Sequence, residues 1–528
     1  MKTSNKITLA VLILVVLSKG GLGGTWILLL IDFCALTLCA NYLLRNRKKL
    51  RFEKILLFVP ILTIVISFII SLSNPSFRNL EKKDLIDLKL EDYLSKEEDV
   101  RKSLMISSDL RSIAEIHSYD PLLSLAIFLD LKNRFSDVFG ENNVGYKFLS
   151  KIEDKLVIQS SSYVPTIITL NNSLFLQNFH LICQLIFGLV IFFNFDHRRE
   201  IRYALATLFI FGTLLAVLGI FQKINYFPSK HGKEIFGIWD APEPRYFYSS
   251  FTYKNHWSAF AILSLMSGVA LIGHFLKRKH HFSGFSPRIF IFIVLIIPLV
   301  LSIPHSGSRS GMLVLVVLFF FSIPILLKIS PLKLNKSGLI ILIIVNCSVF
   351  ITSFALSKNT TKEMISVSMQ QLKDSKPPLR FLLWKDLIGQ ISQKTFWGFG
   401  YNSFQAINPK FQSIEVREMR SLGLGNAHRP YRPLIRYGHS DALQYLSEFG
   451  WLCFVILILP LVMIVLSGYF FTNSPTVRIL CLGNLSFLAY CVFDFPTKSP
   501  ACLIIFFASL ALAAKYSVLS ENKSIETK

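Results

Sequence analysis

Apolar runs about as long as a bilayer is thick recur along this 528-residue chain, and they are apolar on every side. A helix of that kind belongs in lipid, and roughly twenty such residues cross a bilayer. Only helices and closed barrels satisfy their backbone groups in lipid, and these runs lack the period-two alternation of barrel strands. The chain therefore reads as an all-α integral membrane protein, with about 12 transmembrane helices and large extracytoplasmic loops. Composition agrees: 52% of residues are hydrophobic and only 17% charged, where soluble proteins carry about 25% charge.

The spacing predicts spans at 5–22, 25–44, 55–72, 177–195, 203–223, 256–276, 289–304, 311–328, 338–356, 450–470, 478–494 and 499–516. Lys2 and Lys6 ahead of Ile7–Leu17 resemble a signal peptide. Ser18-Lys19-Gly20-Gly21 is no small-x-small cleavage site, however, and a second apolar run starts at Trp26, so the first reads as a retained helix. Each of the eight cysteines falls in or at the edge of an apolar run, which argues for small buried hydrophobes and against disulfides or a thiolate metal site.

Orientation comes from the short loops. Arg45, Arg47, Lys48, Lys49, Arg51 and Lys54 crowd the second; Arg198, Arg199 and Arg202 the fourth; Lys277, Arg278, Lys279 and Arg288 the sixth; Lys328, Lys333 and Lys336 the eighth. All lie on one side if the N-terminus is cytoplasmic, which is the positive-inside pattern. The expected organisation is then three spans over 1–72, an outer insertion over 73–175, six spans over 176–356, a large outer loop over 357–449, three spans over 450–516 and a cytoplasmic tail over 517–528. In the insertion, Asp120-Pro121 is a good helix start. Over residues 357–447 the loop holds 13 Lys or Arg against 6 Asp or Glu. That excess suits anionic lipid headgroups or a pocket for an anion such as a diphosphate; no recognised nucleic-acid motif accompanies it.

Several short patterns carry chemical interest, each with a plainer reading beside it. Ser308-Arg309-Ser310-Gly311 lies between two spans. An arginine there can fork onto two phosphate oxygens, or can simply snorkel to the interface. Leu379–Ile391 has Leu382, Leu383, Leu387, Ile388 and Ile391 on a helical stripe, with Arg380 and Trp384 four apart. It reads as an interfacial helix with Trp384 as its anchor. Gly438-His439-Ser440-Asp441 opens another helical run, with Ser440 or Asp441 as N-cap. His439 at that positive end favours its neutral form, as a general base requires, although a lone loop histidine is more often a bystander. Arg245 precedes Phe251-Thr252-Tyr253-Lys254-Asn255-His256, which also reads as an ordinary interfacial belt. No Asp-x-Asp and no His-Glu-x-x-His occur. Asp32 and His180 are the clearest ionisable residues within spans, fewer than an ion-coupled transporter usually carries.

Taken in order, these pieces resemble the O-antigen ligase and O-antigen polymerase superfamily of bacterial membrane glycosyltransferases. The residues that carry the likeness are Arg245 with Asn255, then Ser308-Arg309-Ser310-Gly311, Arg380 with Trp384, Gly398-Phe399-Gly400, and His439 followed by Leu443-Gln444, Glu448 and Gly450. The likeness covers about 177–516 and leaves 73–175 without a counterpart. It implies transfer of a glycan from an undecaprenyl-diphosphate carrier to a lipid A core, growing polysaccharide or protein acceptor, at the outer face of the bacterial inner membrane, with no metal and no cofactor. His439 would take the acceptor proton; Arg309, Arg245 and Arg380 would hold the diphosphate; Asn255, Trp384 and Glu448 would support them. Membrane lipids are the other expected partners, and nucleic acid is not. A lipid-linked-oligosaccharide flippase or an envelope-assembly scaffold are the alternatives, the first disfavoured by charge placed in large outer loops.

Overall fold

A computed structural model describes residues 2–45, 173–225, 246–278, 287–329, 378–417 except 402, and 435–526, with short stretches inside 128–150 and 234–240. The expected spans 55–72 and 338–356, the helix start at Asp120-Pro121 and Arg245 lie outside the described residues. Those residues fall into two units. The first is Met1–Pro60, His180–Asp374 and Leu459–Lys528; the second is Ile61–Phe179 and Ser375–Ile458.

The first unit is a helical bundle. Its elements are α1 (Thr3–Leu17), α2 (Thr25–Arg45), α3 (Ser173–Asn194, from His180 onward), α4 (Arg198–Asn225), a two-residue antiparallel pair β1 (Glu234–Ile235) and β2 (Trp239–Asp240), α5 (Lys254–Arg278), α6 (Pro287–His305) and α7 (Arg309–Ile329). They are followed by the distal part of α10 (Asp441–Phe470), α11 (Pro475–Phe493) and α12 (Pro500–Glu526). Among the described residues, six helices are long and apolar enough to cross a membrane, and four shorter apolar helices accompany them. This is a multi-pass membrane protein.

Helix α5 is the centre of the bundle, packed against α4, α6, α7, α11 and α12. Its small residues set the spacing. A Cβ on Gly212 of α4 would fall 2.7 Å from Ser264 Cβ, and one on Gly311 of α7 would fall 2.6 Å from Ser258 Cβ. Apolar side chains cannot drive helices together against lipid tails, so such close backbone approach supplies the van der Waals contact instead. The two ionisable residues singled out within spans meet: His180 Nδ1 lies 2.6 Å from Asp32 Oδ2, joining α3 to α2 in a buried pair.

Polar contacts gather at the two ends of this bundle. At one end Lys2 pairs with Asp196, Asn5 donates to Glu200 at 3.1 Å, and Arg198 donates to the Leu519 carbonyl. At the other, the turn after α1 accepts from Ser499 through the Gly20 carbonyl at 2.9 Å. The α7 start and the α5 start meet Asp494 at the end of α11. A chain crossing alternately brings its turns together in this way.

The second unit contains α8 (Leu379–Gln393), α9 (Phe404–Phe411) and the opening of α10. Leu382, Leu383, Leu387 and Ile391 are buried, as the apolar stripe requires, but Ile388 is 57% exposed and belongs to the opposite face with Phe381. Residues of the insertion dock here. Asn133 donates to the Pro409 carbonyl at 2.6 Å, and Arg417 pairs with Asp137 at 3.0 Å.

Candidate functional site

The second unit is organised around Gly450, which has φ 68° and ψ 172° and kinks α10. A helix break strands carbonyls on one side and N–H groups on the other. The segment 395–400, which ends in the Gly-x-Gly, satisfies both sets. Phe399 N and Gly400 N donate to the carbonyls of Ser447 and Glu448 at 2.9 and 2.8 Å, while Trp451 N and Leu452 N donate to those of Thr395 and Phe396 at 2.8 and 3.4 Å. The two strands of backbone are so close that a Cβ on Gly450 would lie 2.2 Å from Phe396 O, and one on Gly398 2.4 Å from Gly450 N. Both positions take left-handed φ, so glycine is required on two counts.

The segment of α10 before this kink holds His439 in place. Ser440 is the N-cap: its Oγ accepts from Leu443 N at 3.2 Å. Gly438 passes so close to α8 that a Cβ would meet Leu387 Cδ1 at 2.6 Å. Gly438 N donates to Gln444 Oε1 at 3.0 Å, and Gln444 Nε2 donates to Glu448 Oε1 at 2.8 Å, one turn further on. The Gln and Glu of the motif are therefore props for the backbone that carries the histidine. Trp384 Nε1 donates to the His439 carbonyl at 3.3 Å from the other side. Trp384, expected as a membrane anchor, is partly buried and turned toward the histidine.

His439 itself has φ 54°, a left-handed conformation uncommon outside glycine. Such strain persists only where the surroundings over-determine it, and it clusters at functional sites. Burial and then the charge of Arg380 lower its pKa to about 4. The imidazole is thus neutral at pH 7, although the causes are burial and a neighbouring arginine, where the sequence had suggested a helix terminus. Asp386, one turn after Leu382, accepts from Ser413 N and Oγ at 3.0 and 3.2 Å and so ties the loop to α8; burial raises its pKa despite those bonds. Lys394, at the end of α8, lies 4.9 Å above the Phe399 ring, and burial brings its pKa down to about 7.

The first unit assembles a different set. Arg309 is the first residue of α7, two positions before the expected start of that span at 311, and its side chain is exposed. Ser308 caps that helix, its Oγ accepting from Gly311 N at 3.1 Å and lying 3.0 Å from the Tyr490 hydroxyl. Asn255 Nδ2 and Ser310 Oγ both donate to Asp494 Oδ2, and Phe495 N donates to Asp494 Oδ1 at 2.9 Å. Asp494 was not among the residues singled out by motif. A lone carboxylate between the apolar runs Leu485–Phe493 and Ala501–Leu512 was the available signal, since charges there are costly and kept for a purpose. Among the described residues, no three His, Cys, Asp or Glu gather as a metal site would need.

Residues 294–458 match a family model described as O-antigen ligase. Over that stretch the chain is similar to the O-antigen ligase family. Within this O-antigen ligase domain fall Arg309, Arg380, Trp384, the Gly-x-Gly clasp, His439, Gln444, Glu448 and Gly450; Arg245 and Asn255 precede it. No curated protein matches the chain in sequence. The O-antigen ligase domain thus runs from the middle of α6 through both the Ser308–Gly311 cap and the clamped histidine.

Proposed function

We propose that the protein is a membrane glycosyltransferase that moves a glycan from an undecaprenyl-diphosphate carrier to an acceptor hydroxyl at the extracytoplasmic face, without a metal. The observation that supports it most is His439: neutral, conformationally strained, held from both sides, and inside the O-antigen ligase domain. In the step envisaged, the acceptor oxygen attacks the anomeric carbon of the donor sugar. Its proton passes to the His439 imidazole as the new glycosidic bond forms. The bond from the anomeric carbon to the diphosphate oxygen breaks, and its electron pair leaves with the diphosphate.

Charge develops on that leaving diphosphate, and fixed cations aimed at it lower the barrier. Arg309, Arg245 and Arg380 are assigned to it. For Arg380 there is a further consequence. Its charge is one of the two causes that keep His439 from accepting a proton. A diphosphate bound to Arg380 would offset that charge and make the imidazole a stronger base just when donor is present. Asn255, Trp384 and Glu448 act as positioning residues. Purified protein assayed with lipid-linked donor and acceptor in excess chelator tests the proposal as a whole; activity abolished by chelator and restored by a divalent cation would overturn the metal-free mechanism.

If Arg309 forks onto two phosphate oxygens, Arg309→Lys should fail nearly as badly as Arg309→Ala, because an ammonium keeps charge but not the planar fork. A loss on the order of tenfold to a hundredfold in kcat/KM is expected for each, since hydrogen bonds to charged groups contribute about 1.5–3 kcal/mol. Near-normal transfer by the lysine variant would favour the snorkelling reading. The outer-face assignment makes a separate prediction. Cysteines placed at Ser95 and at Glu415, the latter an exposed position, should react with a membrane-impermeant thiol reagent in intact spheroplasts. Labelling only after lysis would reverse the orientation.

A further inference from the structure

The outer insertion over 73–175 lies outside the 294–458 match and supplies none of the motif residues. Its described part nevertheless belongs to the second unit, which joins 61–179 to 375–458. Phe128, Leu129 and Leu131 are buried in a short helical stretch over 128–133, and Leu149 is buried as well. Apolar side chains covered this fully in a polar segment are packed against protein. Polar contacts fasten the same stretch to the loop. Asn133 Nδ2 donates to the Pro409 carbonyl at 2.6 Å. Arg417 Nη1 pairs with Asp137 Oδ1 at 3.0 Å and reaches the Asn133 carbonyl at 3.5 Å.

These contacts supply what the 404–417 stretch cannot supply for itself. Helix α9 is eight residues long and contains a proline, and a helix that short is marginal alone. Its last turn leaves carbonyls without intrahelical partners. Pro409 carries one of them, and the Asn133 amide caps it from the insertion. Beyond the helix, the Arg417 side chain is only 13% exposed. A cation so far out of water needs a fixed counter-charge, which Asp137 provides. Between the two fastenings lies Ser413, whose N and Oγ donate to Asp386 of α8. Two residues before Asp386 stands Trp384, donor to the His439 carbonyl, and six before it stands Arg380, whose charge acts on that histidine. From insertion to histidine, every link is thus a hydrogen bond, an ion pair or a run of one helix.

We propose that the insertion is a positioning arm for glycan transfer: Asn133 and Asp137 fix the 409–417 stretch and so hold α8, with Trp384 and Arg380, in register with His439. This rests on the reading of His439 as the base, and it adds residues that the family match does not contain. Neither Asn133 nor Asp137 acts on substrate directly; both are positioning residues. Reacting groups displaced by about 1 Å lose on the order of a hundredfold in rate. Loosening the arm therefore costs activity without removing any reacting group.

The full chain in nanodiscs is assayed with lipid-linked donor and acceptor across pH, with His439→Asn measured alongside. Asp137→Arg and Arg417→Asp each set like charges face to face, and each should lower kcat/KM by roughly tenfold to a hundredfold. The double variant rebuilds the pair with its ends exchanged and should recover most of that loss, as a double-mutant cycle requires of coupled residues. Asp137→Asn keeps the side chain's shape and decides the matter if the reversed variants do not fold; it should show a smaller loss in the same direction. The pH profile separates positioning from mere support. His439 owes its pKa of about 4 to burial and to Arg380. A displaced α8 relaxes both, so the acid limb of kcat/KM should move above pH 4 in the single variants. Loss of folded protein alone would lower the amplitude and leave the limb in place. Wild-type kcat/KM in folded single variants, no recovery in the double variant, or an unmoved limb would each overturn the arm. With His439→Asn inactive, any of those results strikes the arm alone; a fully active His439→Asn protein would remove the base assignment and the arm with it.

Discussion

Replacing His439 should abolish glycan transfer while leaving the protein folded and able to bind donor. Positioned proton transfer is worth roughly 10²–10⁴-fold in rate, and that is the loss expected in kcat. His439→Asn is the better variant, because asparagine tolerates the left-handed φ that His439 adopts, whereas alanine adds strain. Donor affinity should hold, since the donor's charge is assigned to arginines. The pH profile offers a second readout. With its pKa lowered to about 4 by burial and by Arg380, the free-enzyme histidine is neutral at every pH well above 4. Its acid limb in kcat/KM should therefore lie near pH 4, with activity lost as pH falls through that value. The limb in kcat, which reports the donor complex, should sit higher if bound diphosphate offsets Arg380. A fully active asparagine variant would remove His439 from the mechanism.

Gly450→Ala should prevent this protein from accumulating in folded form. The residue occupies a φ/ψ region open almost only to glycine, where a side chain costs about 1–3 kcal/mol. The new methyl would also start 2.2 Å from a backbone oxygen that cannot swing aside. Forcing the strands apart breaks hydrogen bonds worth about 0.5–1.5 kcal/mol each, and the clasp has four. The total is on the order of 5 kcal/mol, comparable to the whole stability of many domains. Gly389→Ala is the matched control. It lies inside α8 with nothing within 4 Å of its would-be Cβ, and there alanine should be neutral or stabilise by about 0.5–1 kcal/mol. Detergent-solubilised yield and thermal melting of the two variants compare them directly; a Gly450→Ala protein as stable as wild type would mean that the kink is incidental.

Much of this architecture was legible in the chain because lipid leaves so few options. Runs of apolar residues mark the helices, and the start of the expected tenth span at 450 coincides with the kink at Gly450. Ser440 as N-cap was readable from residue type alone. What the sequence did not disclose depends on contacts across long separations. Nothing local says that Gln444 reaches back to Gly438, that Trp384 turns to His439, or that Asp32 meets His180. Ile388 was misplaced because a five-residue stripe on a short helix is wider than the face that packs. Arg309, read as a loop residue, begins a helix because Ser308 can cap it.

Asp494 carries a consequence for how this protein is made. Its carboxylate accepts from Asn255 and from Ser310, residues that precede it by 239 and 184 positions. A ribosome adds about 5–20 residues per second, so the second of those hydroxyl and amide donors waits on the order of 10–40 s for its acceptor to be synthesised. Throughout that interval the two donors have been synthesised and their acceptor has not. The end of the bundle that carries Arg309 closes only when the last hairpin has been inserted. A nascent chain stopped short of residue 494 would thus lack the acceptor that Asn255 and Ser310 meet in the finished bundle.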